Sequence, residues 1–521
     1  MTKSRSFSIF LLKPKFDASN SLKEEHKLKE PEGSVANLPD GAKLFIGDKP
    51  FTEPWWKDYW GIEQSLLQTM KGAVLFLPVN ARWFALTFGY SHHNLKETCY
   101  EYDFGLRTTL NALDPHKIKS TDSLTPESAK RERKQMPIAS ELTLFDINSD
   151  ENIIKKLTGC VKKEYENLFK NITGSSSLKI TSKIHAKNIT TLCDKVLEIY
   201  LKEDFKITFP DIQNIVPIKD PAIISTLNSH LLNYLSTNKT ELTLTTPTII
   251  DYDYSHIFLY CTDHSYSETF DDIYISDYLK HLNDNEIIIS SIEQLKSHKL
   301  IIQDENGNKR SSHSIFKCLL FDCEYKKSHY HLCEGEWYKI NKNYINKLEH
   351  ALSKIFIVDT VFSECNSQNE GDFNLHIAKI NTGYVCLDKK NIAPKGQTQI
   401  EPCDLLTFKD NNIQLIHVKF GTHSSTLSHL FNQGLNSAEI LRENEIAKDN
   451  LKNLVDTKFH NTIDAGNYSV LFGIITSKNP SNGSRNLPIF SRISLMRTKN
   501  ALKRMNINAS VVFIKEISNK K

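Results

Sequence analysis

Residues 400–437 read IEPCDLLTFKDNNIQLIHVKFGTHSSTLSHLFNQGLNS, and this stretch decides the fold of the C-terminal part of the chain. Its first half contains two apolar runs, 403–408 and 413–420, on either side of the polar sequence Lys-Asp-Asn-Asn. Apolar runs separated by a short turn-forming sequence are typical of two paired strands. The stretch therefore predicts a β-hairpin.

The second strand of this hairpin carries charged and polar side chains near its end. If Ile416, Val418 and Phe420 face the core, the period of two in a strand turns His417 and Lys419 to the opposite face. We expect this opposite face to be where chemistry can occur.

A helix is predicted directly after the hairpin. Hydroxyl side chains follow Gly421 and can cap a helix, and the apolar spacing over 427–434 is that of one helix face. The other side carries Ser425, His429 and Gln433 at a spacing of four residues. Such a polar stripe is either solvated or directed at a ligand, and the neighbouring hairpin favours a ligand.

Length and charge limit the classes of protein that this chain can belong to. With 521 residues we expect two to four domains. The 65 Lys and Arg residues nearly balance the 62 Asp and Glu residues, so the net charge demands no nucleic acid and any basic surface must be local. No leader-like segment and no apolar run of membrane-spanning length occurs, so we expect a soluble, cytoplasmic protein.

The ten cysteines are scattered, which is typical of reduced thiols rather than of a disulfide framework. One group, Cys318, Cys323, His329, His331 and Cys333, offers enough ligands for zinc. The same residues also alternate as in two strands joined by a Lys-Lys-Ser turn, and no Cys-x-x-Cys motif is present. The pattern favours a hairpin over a structural zinc site.

The whole chain is predicted to be a multidomain protein of the α+β or α/β class. We place an N-terminal α/β domain at 1–150, a mainly helical and then hairpin-containing region at 151–345, and a third domain at 346–521. In the first two regions we predict strands at 6–13, 74–77 and 83–88, a polar basic loop at 117–134, and helices at 153–169, 186–201, 223–235, 276–282 and 291–298.

The third domain has the element order of an α/β sandwich. Around the hairpin and its helix we predict helices at 344–354, 364–379, 448–459 and 489–505, and strands at 384–387, 469–476 and 509–514. The last helix is strongly basic, and its candidate nucleic-acid contacts are Arg492, Arg497, Lys499, Lys503 and Arg504.

These residues suit the hydrolysis of a phosphodiester. That reaction needs hard oxygen ligands for Mg²⁺ or Mn²⁺ and a cation near the attacking water and the phosphate. Asp404 and Lys419 lie on the two paired strands and can meet across them. Glu370 or Glu401 could complete the ligand set, and Gln433 could hold the water or the phosphate.

This arrangement resembles the core of the PD-(D/E)XK nucleases. In that core an acidic helix residue precedes a hairpin that carries Asp and then Glu-x-Lys, and a helix with Gln often follows. Here Pro402-Cys403-Asp404 and His417-Val418-Lys419 correspond to the two motifs. The resemblance implies a restriction-endonuclease-like sandwich. The imidazole of His417 could still bind a metal or take a proton, but it removes a negative charge.

Longer strings along the chain resemble a bacterial family of unknown function that is sporadically distributed and often associated with mobile or defence loci. These strings are FGLRTTLN (104–111), GEWYKI (335–340), CDLL (403–406), LIHVK (415–419), SSTLSHLFNQG (424–434) and LPIFSRISL (487–495). The resemblance implies anti-phage or mobile-element biology and names no activity.

We therefore expect a metal-dependent nuclease that acts on DNA or RNA. The alternative is an inactive nucleic-acid-binding or sensing protein, in which the basic helix and the 117–134 stretch would form one positive groove. An unrelated enzyme or interaction protein is the third hypothesis. A protein partner or an oligomer is compatible with each of these.

Overall fold

A computed structural model describes residues 4–48, 57, 60–66, 71–89, 91–125, 129–145, 153–209, 215–237, 242–250, 256–262, 265–305, 307–340, 342–357, 362–395, 399–409 and 412–517. The chain forms two compact units. Unit 1 comprises Met1–Leu124, Arg131–Gln213 and Asp304–Asn308, and unit 2 comprises Thr125–Lys130, Asn214–Gln303 and Lys309–Lys521. The chain is a mixed α and β protein with several antiparallel sheets.

Unit 1 is built on a nine-stranded sheet with a helical layer. Its strands are β1 (Arg5–Leu11), β2 (Lys43–Asp48), β3 (Lys71–Val79), β4 (Arg82–Phe88), β5 (Leu113–Thr125), β6 (Lys130–Ser140), β7 (Ile153–Val161), β8 (Asn171–Gly174) and β9 (Leu178–Ser182). Its helices are α1 (Phe104–Ala112), α2 (Ile189–Leu201) and α3 (Phe205–Thr208). The sheet order is β2-β3-β4-β1-β9-β8-β7-β5-β6. In this order, every pair of neighbouring strands between β2 and β5 is antiparallel.

The predicted opening strand and the predicted hairpin of β3 and β4 are confirmed, as is the helix α2. The predicted helix over 153–169 is wrong, because that segment begins with strand β7. Leu157 and Val161 are four residues apart, which fits a helix, but together with Gly159 they also fit one face of a strand, where every second residue is buried. A side chain at position 159 would lie 2.5 Å from the carbonyl of Lys117, so only glycine lets the strands approach.

The predicted basic loop at 117–134 is also wrong, because it contains most of β5 and the start of β6. Strand β6 ends the order of the nine-stranded sheet, and most of its side chains are at least partly exposed. Charged residues and a proline are the usual protection of an edge strand against pairing with another chain.

The first part of unit 2 contains two smaller antiparallel sheets, β10-β18-β17-β16-β11 and β13-β12-β14-β15. Their strands are β10 (Ile215–Pro217), β11 (Thr243–Leu244), β12 (Ile257–Thr262), β13 (Ser265–Tyr266), β14 (Lys299–Gln303), β15 (Lys309–Ser314), β16 (Leu319–Tyr325), β17 (Ser328–Cys333) and β18 (Glu336–Ile340). The helices are α4 (Pro221–Thr237), α5 (Ile275–Asp284), α6 (Ile292–Ser297) and α7 (Ile315–Cys318). The predicted helices at 223–235, 276–282 and 291–298 are confirmed, and so is the hairpin, formed by β16 and β17.

The second part of unit 2 is a six-stranded mixed sheet in the order β19-β24-β23-β22-β21-β20. Its strands are β19 (Phe356–Ile357), β20 (Tyr384–Cys386), β21 (Leu405–Lys409), β22 (Asn412–Phe420), β23 (Tyr468–Thr476) and β24 (Asn508–Lys515). The helices are α8 (Lys342–Leu352), α9 (Glu370–Ile380), α10 (Ser424–Glu443), α11 (Glu445–Lys452), α12 (His460–Ala465) and α13 (Ile489–Arg504). Strands β19, β24, β23 and β22 are parallel, whereas β20, β21 and β22 are antiparallel.

Both faces of this sheet are covered by helices. On one face Ile416 and Val418 pack with Phe373 and Ile377 of α9. On the other face Ile413 and Leu415 of β22 belong to the core that contains the apolar side of α10, including Leu427 and Phe431. All nine residues of β23 are buried, as expected of a central parallel strand. The alternation predicted for β22 is confirmed, but neither of its faces is open along its length.

Candidate metal centre

The mixed sheet brings several polar side chains to one of its ends. Strand β22 runs towards this end, and the antiparallel strand β21 starts there, directly after Asp404. The backbone of Asp404 continues the ladder on both sides. Its N–H donates to the carbonyl of Ile416 at 2.9 Å, and its carbonyl accepts from the N–H of Leu387 at 2.9 Å. Residues that follow β20 and residues at the end of β22 therefore flank Asp404.

Three carboxylates meet at this end of the sheet. Asp388, Glu401 and Asp404 each offer one oxygen, and these oxygens all lie within 4.8 Å of one another. Carboxylate oxygens are the ligands that Mg²⁺ and Mn²⁺ prefer. The prediction from sequence included Glu401 and Asp404 and missed Asp388. The sequence feature that could have pointed to Asp388 was its position just after the strand predicted at 384–387. In the structure this strand, β20, pairs with β21.

Asp404 is the buried member of the group, with 7% of its surface exposed. Burial raises the pKa of Asp404 to about 7, and the negative charges of Asp388 and Glu401 act in the same direction. The N–H of Val418 donates to Asp404 Oδ2 at 2.6 Å and, together with Lys419, opposes this rise in the pKa. The carboxylate is thus held in place by the backbone while its charge is only partly compensated.

Lys419 and Glu370 form an ion pair next to the carboxylate group. Lys419 Nζ lies 3.8 Å from Glu370 Oε1, and the two side chains are 28% and 34% exposed. The same Glu370 oxygen accepts the N–H of Phe420 at 3.2 Å. Glu370 is the first residue of α9, where Asn369 caps the helix by accepting the N–H of Asp372. The half-buried amine therefore pairs with Glu370, and its positive charge also acts on Asp404.

His417 does not take part in this group, contrary to the prediction from sequence. It is 1% exposed, and its Nε2 lies 3.2 Å from the Ser437 hydroxyl on α10. Burial lowers the pKa of His417 to about 3, so the imidazole is neutral. The face of β22 that carries His417 is covered by α10, and the side chain is enclosed between strand and helix.

The polar stripe predicted on α10 is only partly at the surface. His429 is exposed, whereas Gln433 is half-buried and its Oε1 has no hydrogen-bond partner within the described part of the chain. The side chain of Ser425 lies outside the described residues. Gly434 packs so closely on Phe472 that an added Cβ would lie 2.5 Å from the ring. Neither His429 nor Gln433 belongs to the group of three carboxylates.

The predicted basic helix, α13, is not a uniform basic surface. Arg497, Lys503 and Arg504 are exposed, and Lys499 Nζ donates to the carbonyl of Ala351 at 2.5 Å. Arg492, in contrast, is 4% exposed.

The buried guanidinium of Arg492 makes its contacts inside the protein. Its Nε donates to the carbonyl of Leu487 at 2.8 Å, and its Nη1 lies 3.5 Å from Glu349. The prediction that Arg492 contacts nucleic acid is therefore wrong for this structure, because burial removes the side chain from the surface.

The direction of α13 separates its exposed cations from the carboxylates. The helix leads from the end of β23 back to the start of β24, and these strands are parallel. At about 1.5 Å per residue, the last turn of the helix lies roughly 20 Å along the sheet from its first turn. Lys503 and Arg504 are therefore at the opposite end of the sheet from Asp404.

A carboxylate and a buried imidazole form a pair on the hairpin of β16 and β17. Asp322 Oδ1 is 2.7 Å from His331 Nδ1, and the His331 ring packs edge-on against Phe490 at 4.7 Å. Burial lowers the pKa of His331, but the charge and the hydrogen bond of Asp322 outweigh it and raise the pKa to about 9. Among the described residues, the Cys and His side chains of this hairpin form no group of three ligands within metal-binding distance.

None of the helices in the described ranges is both long and apolar enough to cross a membrane. No curated protein and no solved structure matches this chain. A family model described as a family of unknown function, DUF6119, matches residues 7–515, and the chain therefore belongs to that family.

Proposed function

We propose that the C-terminal part of this protein is a divalent-metal-dependent phosphodiesterase, a nuclease that acts on DNA or RNA. The observation that carries the proposal is the meeting of Asp388, Glu401 and Asp404 beside the amine of Lys419. Buried like charges are unfavourable unless a cation compensates them. The donor set consists of hard oxygens only, which fits Mg²⁺ or Mn²⁺.

Each residue of the proposed centre has its own role. The three carboxylates would hold the metal, which when bound polarises a phosphoryl oxygen and lowers the pKa of a coordinated water. Lys419 would donate hydrogen bonds to the phosphate or to the attacking water and stabilise the negative charge of the transition state. Glu370 holds Lys419 in that position through their ion pair.

The order of the elements supports the same proposal. Helix α9, strand β20, the hairpin of β21 and β22, and helix α10 follow one another along the chain. This order resembles the core of the PD-(D/E)XK nucleases, with Asp404 and Lys419 corresponding to its acid and its lysine. Asp388 and Glu401 supply carboxylates that do not depend on position 417. A histidine at that position therefore leaves three acidic ligands for the metal.

A cleavage assay tests the proposal. Purified protein is incubated with plasmid DNA, single-stranded DNA and RNA in Mg²⁺ or Mn²⁺. Asp404→Asn and Lys419→Ala should each lower the cleavage rate by at least about 100-fold, the usual contribution of a residue at the reacting atoms. Lys515→Ala is a matched control, because Lys515 also pairs with a glutamate, Glu364, at this end of the sheet. It should cut at the wild-type rate.

A second function is favoured by His417, which is neutral and buried where the nuclease core has an acid. The protein would then bind nucleic acid without cutting it. If the wild type and Lys419→Ala bind the same substrates equally and neither cuts in either metal, the enzyme proposal is overturned and the binding function takes its place.

A further inference from the structure

The C-terminal sequence contains a long segment without acidic residues. Positions 465–515 include eight Lys or Arg residues and no Asp or Glu, although the chain as a whole is nearly neutral. Most of these cations lie on α13, whose exposed turns lead away from the carboxylates. The loop at 477–486 is different, because it follows the end of β23 at which the carboxylates meet.

Direct contacts tie this loop to the end of β22. The N–H of Gly421 donates to the carbonyl of Ile475 at 2.8 Å. Lys478 Nζ donates to the Thr422 hydroxyl at 2.7 Å and to the carbonyl of Asn486 at 3.1 Å. Thr422 is only three residues from Lys419, so the loop borders the proposed centre.

The loop is held together from the inside. Asn486 is 4% exposed, and its Nδ2 donates to the carbonyl of Asn479 at 2.7 Å. The Asn479 side chain accepts the N–H of Ser481 at 3.0 Å. Arg492, buried beneath, donates to the Leu487 carbonyl at the end of the loop. These bonds fix the backbone of the loop and leave the Arg485 side chain on its outer side exposed for contacts with a partner.

The outer side of the loop carries cationic and hydrogen-bonding groups. Ser477, Lys478, Asn479, Ser481, Asn482 and Arg485 are exposed. The Arg485 side chain is 74% exposed and makes one long ion pair, 3.6 Å, with Glu349. Arginine, lysine, serine and asparagine are among the side chains that contact the phosphates of nucleic acids.

We propose that the loop at 477–486 binds the backbone phosphates of a nucleic acid next to the bond that the proposed centre would cut. Arg485 and Lys478 supply the charge, and the Ser and Asn side chains supply hydrogen bonds. Such contacts position the strand and carry no sequence information. The inference rests on the proposed function for the identity of the polyanion.

The test measures binding separately from cleavage. Labelled oligonucleotides of single-stranded DNA, single-stranded RNA and duplex DNA are titrated with the Asp404→Asn protein in EDTA over a range of salt concentrations. Arg485→Ala, added to this background, should weaken binding about fivefold and reduce the slope of log affinity against log salt by about 0.7 to 0.9, the value of one phosphate contact. The three probes distinguish DNA from RNA and single strands from duplex.

Lys503→Ala is the matched control, since Lys503 is an exposed cation of the same acid-free segment at the far end of α13. It should change the affinity by less than a factor of about two. Equal losses from Arg485→Ala and Lys503→Ala, or no loss from Arg485→Ala, would overturn the inference. Lys478→Ala is a second test variant of the loop. Its thermal unfolding is measured as well, because Lys478 bonds to Thr422 and Asn486 within the fold.

The outcome separates this inference from the proposed function. If Arg485→Ala lowers binding while the wild type never cuts, the phosphate-binding surface stands and the nuclease proposal fails. If the wild type cuts and Arg485→Ala binds and cuts normally, the nuclease proposal stands and the loop has no part in it.

Discussion

Two largely buried carboxylates in unit 2 have opposite surroundings. Asp322 on the hairpin of β16 and β17 lies 2.7 Å from His331, whose pKa it raises to about 9. Asp404 at the start of β21 lies among Asp388 and Glu401, and its own pKa is raised to about 7. The first carboxylate is paired with a cation, whereas the second is surrounded by like charges.

The difference gives a way to distinguish charged side chains that stabilise the fold from those that would bind a ligand. A buried ion pair contributes to the folded state through its own partner, and removing one member leaves an uncompensated charge. A buried group of carboxylates destabilises the fold until protons or a cation bind to it. Substitutions at the two places should therefore change stability in opposite directions.

The largest change is expected at the paired carboxylate. His331→Ala should lower the free energy of unfolding by about 3 kcal/mol, because it leaves Asp322 without its partner and removes the ring that packs on Phe490. Urea unfolding measures this change. Glu445→Gln is the control, since the pair of Glu445 with Lys448 at 2.6 Å is exposed at the glutamate and should be worth less than about 0.5 kcal/mol. Equal effects of the two substitutions would contradict the comparison.

The same pair should give the protein a characteristic dependence on pH. The pKa of His331 is about 9 in the folded protein and near 6.5 in the unfolded chain, so folding binds a proton between these values. The stabilisation is complete below about pH 6.5 and is lost as the pH rises through about 9, by roughly 3 kcal/mol. Unfolding experiments at several pH values on the wild type and on His331→Ala would show it, and identical profiles would count against it.

At the group of three carboxylates, the expected change in the free energy of unfolding has the opposite sign. Asp404→Asn should raise the free energy of unfolding of the metal-free protein at pH 8 by roughly 1 to 2 kcal/mol, because the folded-state pKa of about 7 exceeds the ordinary 3.8 and ionisation favours unfolding. The amide keeps the oxygen that accepts from Val418.

In Mn²⁺ the wild type should gain thermal stability and Asp404→Asn should not. A variant that is less stable without metal, or one that is stabilised by metal as much as the wild type, would make Asp404 a structural residue.

Glu401→Gln should have the smallest effect. Glu401 is only half-buried, so removing its charge should raise the stability at pH 8 by less than about 1 kcal/mol while still weakening the response to Mn²⁺. A loss of stability instead would mean that Glu401 contributes to the fold.

Sequence patterns predicted most of the frame around the candidate site. The hairpin, the alternation of Ile416 and Val418, and the helix after Gly421 all follow from local periodicity, and the structure has them. Asp404, Glu401, Glu370 and Lys419 lie at one end of the sheet, as the hairpin geometry suggested. Local patterns succeed here because each element is long and has one dominant period.

What the sequence did not reveal depends on neighbours that are distant along the chain. Asp388 joins the carboxylates through the pairing of β20 with β21, which no local pattern specifies. His417 and Arg492 look like surface groups in the sequence, but α10 covers the first and the loop before α13 encloses the second. In a sheet that is covered on both sides, the alternation of polar and apolar residues does not show whether a polar residue is exposed.

The short strand β20 offers a way to detect a cation in the proposed metal centre. Asp388 is brought to the group by a three-residue edge strand, whose last bond to the ladder runs from the N–H of Leu387 to Asp404. Edge strands open more readily than central ones, and each opening would separate Asp388 from its neighbours. A bound cation would hold that edge closed, so slowed hydrogen exchange of a single amide, Leu387, would reveal occupancy without any substrate.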